Sequence, residues 1–342
     1  MSTESILKSI EDEETPIASL EVGLLSDLEP SSAAIISASL SSLSLEREKQ
    51  LLDHLINISE DRFDVNFDEL FVRKLESERP EIRELSIKGL WECNERSLIS
   101  TLLDLLRKDD ADDVRIAAAI GLRKFSVLAQ EGKLLDRDSS NIYQSLITIL
   151  DDDSYETENE FPIEIRRRAI EALSPYDNSK VHEIILDNYH SLDDQLRASA
   201  IFSMGENGNS EWISYILEEM DNPNPEIRFE AVGALGRIGD EALIPDLARM
   251  GNDVSFEVIS QVITALNLIG GTTAIKVLKR FLQHDNTNVR TLAQDALENM
   301  EKEQLSIDEI YNGEPYESSD PSEEEPEEVF SEFDEGLEDF DE

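Results

Sequence analysis

A recurrence of 31 residues constrains this chain more than any other feature. With Arg228 as origin, the same column holds Arg166, Arg197 and Arg290, and Ile259 stands where a further arginine is expected. One residue earlier the column reads Ile165, Leu196, Ile227, Val258 and Val289; three residues later it reads Ala169, Ala200, Ala231, Val262 and Ala293. Two earlier copies centre on Arg83 and Arg115, with Gly89 and Gly121 in the small-residue column that later holds Ala172, Ser203 and Ala234. A unit this short cannot bury an apolar face by itself. Its stripe must be covered by neighbouring copies, so the chain is expected to stack as a solenoid, and its length of 342 residues does not count domains.

The clearest unit runs from Asp221 to Met250 and reads as a helical hairpin. Pro225 suits the first position of a helix, where the missing N–H is not needed, and Ile227, Ala231, Ala234 and Leu235 share one face. Gly236 and Gly239 are expected to end that helix, and Asp240 to cap a second one carrying Leu243, Ile244, Leu247 and Met250. The small columns imply close approach between successive first helices.

PEIRFEAVGALGRIGD, residues 225 to 240, resembles HEAT repeats of the short, phycobilisome-lyase type. The resemblance covers residues 77 to 300 and implies an all-α fold, a HEAT-like α-α superhelix (solenoid) with 31-residue repeats. Function does not follow from it, because such arrays mostly present binding surfaces and few carry chemistry. In HEAT-like arrays the second helices line the concave side.

Composition narrows the partners. The net charge is −47, of which residues 313 to 342 contribute −15, leaving −32 on residues 1 to 312. Direct nucleic-acid binding calls for a basic footprint, and an anionic membrane surface would repel the chain. Basic proteins or cations are the natural partners. Cys93 is the single cysteine, which rules out an intrachain disulfide and a thiolate metal site within one chain. The N-terminus lacks the basic and apolar segments of a leader, and no run approaches the ~18 apolar residues of a spanning helix. A cytoplasmic location is expected.

In chain order, residues 1 to 15 read as a flexible N-terminus and residues 16 to 76 as an atypical helical cap. Residues 77 to 312 read as the repeat solenoid, and 313 to 342 as a disordered acidic tail. The 51 residues between Arg115 and Arg166 exceed one period, so insertions are expected around 126 to 140 and 151 to 164, the second a charged loop. After Met300 the pattern decays, with Ile307 and Ile310 placed to close a last hairpin.

Catalytic constellations are scarce. His182-Glu183 is similar to the His-Glu pairs with which the deoxyhypusine hydroxylases, another HEAT-like family, bind two irons; this chain has one such pair where that family uses several. His182 also occupies a column held by Ile213, Ile244 and Ile275, which favours a core or half-buried histidine. The phycobilisome lyases attach or remove bilins, and no residue here carries that activity over. Trp91 and Trp212 fit either a ligand pocket or the core, and Trp212 shares its column with Leu243 and Leu98. The column arginines are expected to pair with an acid near the preceding turn, with Asp109, Asp221 and Asp285 suitable and Ile259 breaking the ladder.

The expected function is therefore non-enzymatic, with no cofactor and no metal: a protein-protein interaction or scaffold module. The alternative is an acidic assembly chaperone for a basic client protein, and a lyase-like or metal-dependent enzyme comes last. The expected binding residues lie on the second helices. Ile184, Tyr215 and Val277 are apolar where solvent is expected, and charge passes from Asp104 and Asp187 to Arg249 and Arg280 along the groove. Phe330, Phe333 and Phe340 in the acidic tail complete the set, as aromatic anchors that fold back toward Arg249 and Arg280. Asp placed at Ala231 or Ala234 should lower the thermal unfolding temperature, because a buried unpaired carboxylate costs several kcal/mol; a variant melting with the parent would show that these columns do not face inward.

Overall fold

The computed structural model describes residues 3–12, 16, 22–150 and 162–312, and all regular structure among them is helical. By compactness the chain divides into units Met1–Glu298 and Asn299–Glu342. The acidic tail, with Phe330, Phe333 and Phe340, lies outside the described residues, as does residue stretch 151–161.

Residues 3–12, read from the sequence as frayed, contain helix α1 (Thr3–Glu11). Its end is held by the buried Arg47, whose Nε donates to the Ile10 carbonyl at 2.9 Å and whose Nη2 donates to that of Asp12 at 2.9 Å. A guanidinium here satisfies carbonyls that the helix cannot satisfy itself. Helices α2 (Pro30–Leu40), α3 (Leu45–Asp61) and α4 (Asp68–Lys74) follow. They are joined by a buried ion pair, Lys74 Nζ to Glu48 at 2.5 Å, with Lys74 also donating to the Ser37 carbonyl at 2.7 Å. Arg79 reaches the other oxygen of Glu48 at 2.9 Å and so ties this group to the first repeat.

The repeats pair a first with a second helix: α5 (Pro80–Gly89) with α6 (Arg96–Lys108), α7 (Asp112–Gln130) with α8 (Asp136–Leu150), and α9 (Ile163–Leu173) with α10 (Ser179–Tyr189). Then come α11 (Asp194–Asn207) with α12 (Ile213–Glu219), α13 (Pro225–Ile238) with α14 (Ile244–Met250), and α15 (Phe256–Ile269) with α16 (Gly271–Phe281). The last helix, α17 (Thr287–Asn312), continues through Ile307 and Ile310, so no turn precedes them to form the expected closing hairpin. The extra residues expected at 126 to 140 appear as a longer first helix, α7, and a short link to α8.

One of the expected helix stops falls elsewhere. Gly236 lies inside α13, and Gly239, at φ +74°, supplies the left-handed residue that ends it. Gly205 likewise lies inside α11, which Gly208 ends at φ +72°. Both interior glycines serve contact. A Cβ on Gly205 would lie 2.5 Å from Ala234 Cα, and one on Gly236 would lie 2.7 Å from Ala265 Cα. First helices thus meet backbone to backbone, whereas the second helices approach one another far less closely. The first helices form the tighter layer of these repeats.

The arginine column is structural, with a different partner from the expected one. Arg228 donates to Asp253 at 2.7 and 2.8 Å, and Arg83 to Asp109 at 2.8 and 2.7 Å; each acid lies in the turn after the arginine's own second helix. Asp221 instead pairs with Arg249, and Arg290 uses the carbonyl of Asp285 at 2.9 Å, not its carboxylate. The carboxyl of Asp253 is held below the usual range by the hydrogen bond from Arg228. Arg83, Arg197, Arg228 and Arg290 all also donate to the carbonyl six residues before them, at 2.7, 3.3, 2.8 and 2.6 Å. The side chains in that preceding column, Ser77, Asp109, Ser191, Asn222, Asp253 and His284, each accept from the backbone N–H two residues on, fixing the turn. Each of these four arginines therefore locks the turn before it, and two of them also clamp the turn after.

Gly205→Ala tests the close packing. Alanine is the better helix former by about 1 kcal/mol, but the clash with the Ala234 backbone should outweigh that and leave a net loss of about 1–3 kcal/mol. Denaturant unfolding would read it, and an unchanged or raised midpoint would mean that the layer can open without cost.

Candidate protein-binding face

The second-helix residues expected to bind do not form one exposed face. Ile184 and Val277 are 6% and 8% exposed and belong to the core. The reason is the width of the apolar stripe: from Val181 it continues through Ile184, Ile185 and Tyr189, at three, four and eight residues, so the position taken as outward lies within it. Tyr215 is half-buried, edge-on to Tyr189 at 5.5 Å and 6.0 Å from Trp212. Arg249 is paired with Asp221 at 2.6 Å, and Asp104 with Lys108 at 2.7 Å, so the expected run from acidic to basic is broken by local pairs. Arg280 is exposed and lines a 410 Å³ cavity with Val277 and Phe281.

His182 is half-buried, packed edge-on against Trp212 at 4.9 Å, with its ring nitrogens 2.8 Å from Asp177 and 2.9 Å from Glu211. Trp212 is a core residue whose indole N–H donates to Asn207 at 2.8 Å. Among the described residues no group of three or more His, Cys, Asp or Glu is arranged to hold a metal ion.

Trp91 has the other fate. Helix α7, at 19 residues, is about 28 Å long, against about 15 Å for the ten-residue α5 beside it. Three apolar side chains are uncovered here: Val127 on the overhang is 38% exposed, Ile120, level with Lys88 of α5, 53%, and Trp91, in the turn after α5, 50%. They open onto a cleft of 580 Å³ floored by Ile87, Leu98, Leu102 and Leu128. Gly121 sets its depth, since a Cβ there would already lie 3.3 Å from Ile87 and Leu102. The charged residues lining the cleft are Lys88, Arg123 and Lys124, and no Asp or Glu is among them. Lys88 pairs with Glu84 at 2.6 Å. Lys124 donates to the carbonyls of Leu90, at 2.5 Å, and Trp91, at 3.2 Å, and burial lowers its pKa.

Arg123 links this cleft to a charged network on the neighbouring first helices. It donates to Glu206 and lies over the Phe202 ring at 5.0 Å, while Arg237 stacks over the same ring at 4.4 Å and reaches Glu206 at 3.3 Å. Further along, Arg168 donates to Glu171 and Glu164, each at 2.7 Å, and Ser199 donates to Glu171 at 2.8 Å while accepting from Arg167 at 3.0 Å. Three buried guanidinium nitrogens, Arg123 Nε and Arg237 Nε and Nη2, make no hydrogen bond. Burial pushes the Glu230 carboxyl up to about 7, with Glu171 and Glu226 adding to the rise and Arg237, 3.8 Å away, opposing it.

The sequence carried a signal for this face. Five residues after the arginine column stand Lys88, Ile120, Glu171, Phe202, Gly233 and Thr264, and nine after it Lys124, Glu206, Arg237 and Leu268. These positions alternate with the apolar columns of the first helices; Lys88, Ile120, Thr264 and Leu268 are exposed, whereas Glu171 and Gly233 are buried beside the next first helix.

The sequence family described as HEAT repeats matches residues 183–266. Residues 183–266 thus carry HEAT-like repeats, and the helical hairpins on either side follow the same pattern. No curated protein sequence matches it. Among solved structures, the CpcE–CpcF complex of phycocyanin lyase from Nostoc sp. is 16% identical, covering 80% of this chain and 95% of that one at a TM-score of 0.48. Human deoxyhypusine hydroxylase is 16% identical over 80% of this chain and 97% of its own, at 0.35. A Kap95:Nup1 complex is 12% identical over 91% and 48%, at 0.44. No helix among the described residues is long and apolar enough to cross a membrane.

Glu230 gives a measurable pH effect. Folding raises this carboxyl from 4.5 to about 7, so the stability tied to its neutral form is fully present below 4.5 and is lost as pH rises through 7. Glu230→Gln should therefore melt above the parent at pH 8, by something of order 1–3 kcal/mol, with the gap closing toward pH 5. Equal stability of the two at pH 8 would mean that the carboxylate is fully solvated.

Proposed function

We propose that this chain is a non-catalytic scaffold that takes a protein partner on the outward face of its first helices. The cleft at Trp91 and Ile120 is the anchor site. The observation that carries this reading is the exposure of Trp91, Ile120 and Val127 around one open cleft. Apolar surface in contact with water is worth about 25 cal/mol per Å² when a partner covers it, and a tryptophan in a pocket is the commonest kind of binding hot spot. The rim of Lys88, Arg123 and Lys124 provides orientation, and the charged face from Arg123 to Arg168 extends the surface for secondary polar contacts.

Crosslinking tests the assignment. A photoreactive amino acid at Ile120 should capture a protein from cell extract, and one at Tyr215 should not. Trp91→Ala should reduce recovery of that same protein about tenfold or more, with the far-ultraviolet spectrum and melting temperature preserved. Recovery that survives Trp91→Ala but is lost in Tyr215→Ala would move the site to the second helices.

A further inference from the structure

The cleft also specifies the chemistry of its occupant. In the whole chain, 77 Asp and Glu stand against 30 Lys and Arg. A patch drawn at random from this surface would be acidic, yet the charged residues lining the cleft are three cations; Lys88 and Arg123 are paired with Glu84 and Glu206, which do not line it, and Lys124 has no ion pair among the described residues. Lys124 is the decisive one. It is drawn down between α5 and α7, its ammonium is held by two backbone carbonyls and lies 5.0 Å from the Phe125 ring, and no carboxylate of the described residues lies within ion-pairing distance of it. A half-buried ammonium with only neutral acceptors retains most of its unit charge as seen from the cleft, and an anion placed there gains from the low dielectric of the apolar walls.

We infer that the cleft binds a short acidic segment of a partner protein that carries one aromatic or aliphatic anchor. Its apolar side chain inserts between Trp91, Ile120 and Val127, and its carboxylates meet Lys124, Arg123 and Lys88 at the rim. This rests on the scaffold reading above and gives the partner its charge. It runs against the expectation from net charge alone, since a protein at −47 repels acidic partners everywhere except at such a cationic window. That repulsion is screened within about 8 Å at physiological salt, so it sets encounter rate and selectivity while leaving the local contacts intact. A basic segment would meet the unpaired ammonium of Lys124 and could approach Lys88 and Arg123 only by breaking their pairs with Glu84 and Glu206, so it is disfavoured.

Selection from a displayed library of random 12-residue peptides against the full-length chain provides the test, with Trp91→Ala as the counter-selection. The expected outcome is enrichment of sequences that combine Asp or Glu with one Phe, Trp, Leu or Ile. Synthetic versions of the enriched peptides, followed by fluorescence anisotropy, should lose affinity about tenfold or more in Trp91→Ala. They should also weaken in Lys88→Glu, which reverses an exposed rim charge without touching the buried Lys124, and should weaken as salt rises. Enrichment of basic peptides, or of apolar peptides without charge bias, would overturn the inference. So would the absence of any enrichment, as when the chain itself fills the cleft. If peptides fail while the crosslinked protein of the preceding test still depends on Trp91, the acidic-segment inference falls and the scaffold reading stands. Loss of both results removes both.

Discussion

Successive first helices touch through their backbones, and the remainder of the repeat follows from that contact. Gly205 against Ala234 and Gly236 against Ala265 leave no room for a methyl group, so the interaxial distance is set by main chain and not by side-chain packing. Dispersion between closely apposed backbones is gained at every repeat, and the larger core residues, Trp212, Met220, Met250 and Phe281, are displaced toward the second helices. The same proximity crowds the outward side chains of adjacent first helices. Arg168, Glu171 and Ser199 are linked in one group and Arg123, Glu206 and Arg237 in another, each bridging neighbouring first helices.

At the other end of each hairpin, the arginine column does a different job. Its guanidinium reaches the carbonyl six residues back, and the polar side chain in that position fixes the turn through the N–H two residues on. Where an acid is available in the next turn, as with Asp109 and Asp253, the arginine also clamps the following repeat. Asn222 takes that place after Arg197, where no acid pairing forms. A chain with −32 on residues 1 to 312 is under self-repulsion, and committing its few cations to turns and to the first-helix network places positive charge where the backbone and the carboxylates are densest.

Against that background the cleft at Trp91 is the exception to the repeat. It combines Ile120 in an outward column and Trp91 in the turn after α5 with the overhang of α7, where the stacking that covers apolar side chains elsewhere runs out before Val127. A solenoid of identical repeats has no such gap. Irregular repeats are therefore where binding surface arises at least structural cost, since the neighbouring regular units hold the walls in place. Gly121 and Lys124 show the same economy, one deepening the cleft and the other bracing it against the Leu90 and Trp91 carbonyls.

The sequence by itself determined the period, the all-helical hairpin, the buried columns from Ile227 to Leu235 and the structural role of the arginines, because each rests on local spacing that repeats. It also determined the cap at Asp240, which depends on a neighbour two residues away. Only the tertiary structure decided which acid each arginine takes, since Asp221 is the nearer to Arg228 in sequence yet pairs with Arg249, while Asp253, in the turn after the next helix, pairs with Arg228. The tertiary structure likewise decided that Gly205 and Gly236 are contacts and not stops, that Ile184 and Val277 lie within a broad buried stripe, and that Trp91 is open while Trp212 is closed. Burial of a side chain depends on the length and distance of the helix beside it, and a single helix's own sequence does not contain that information.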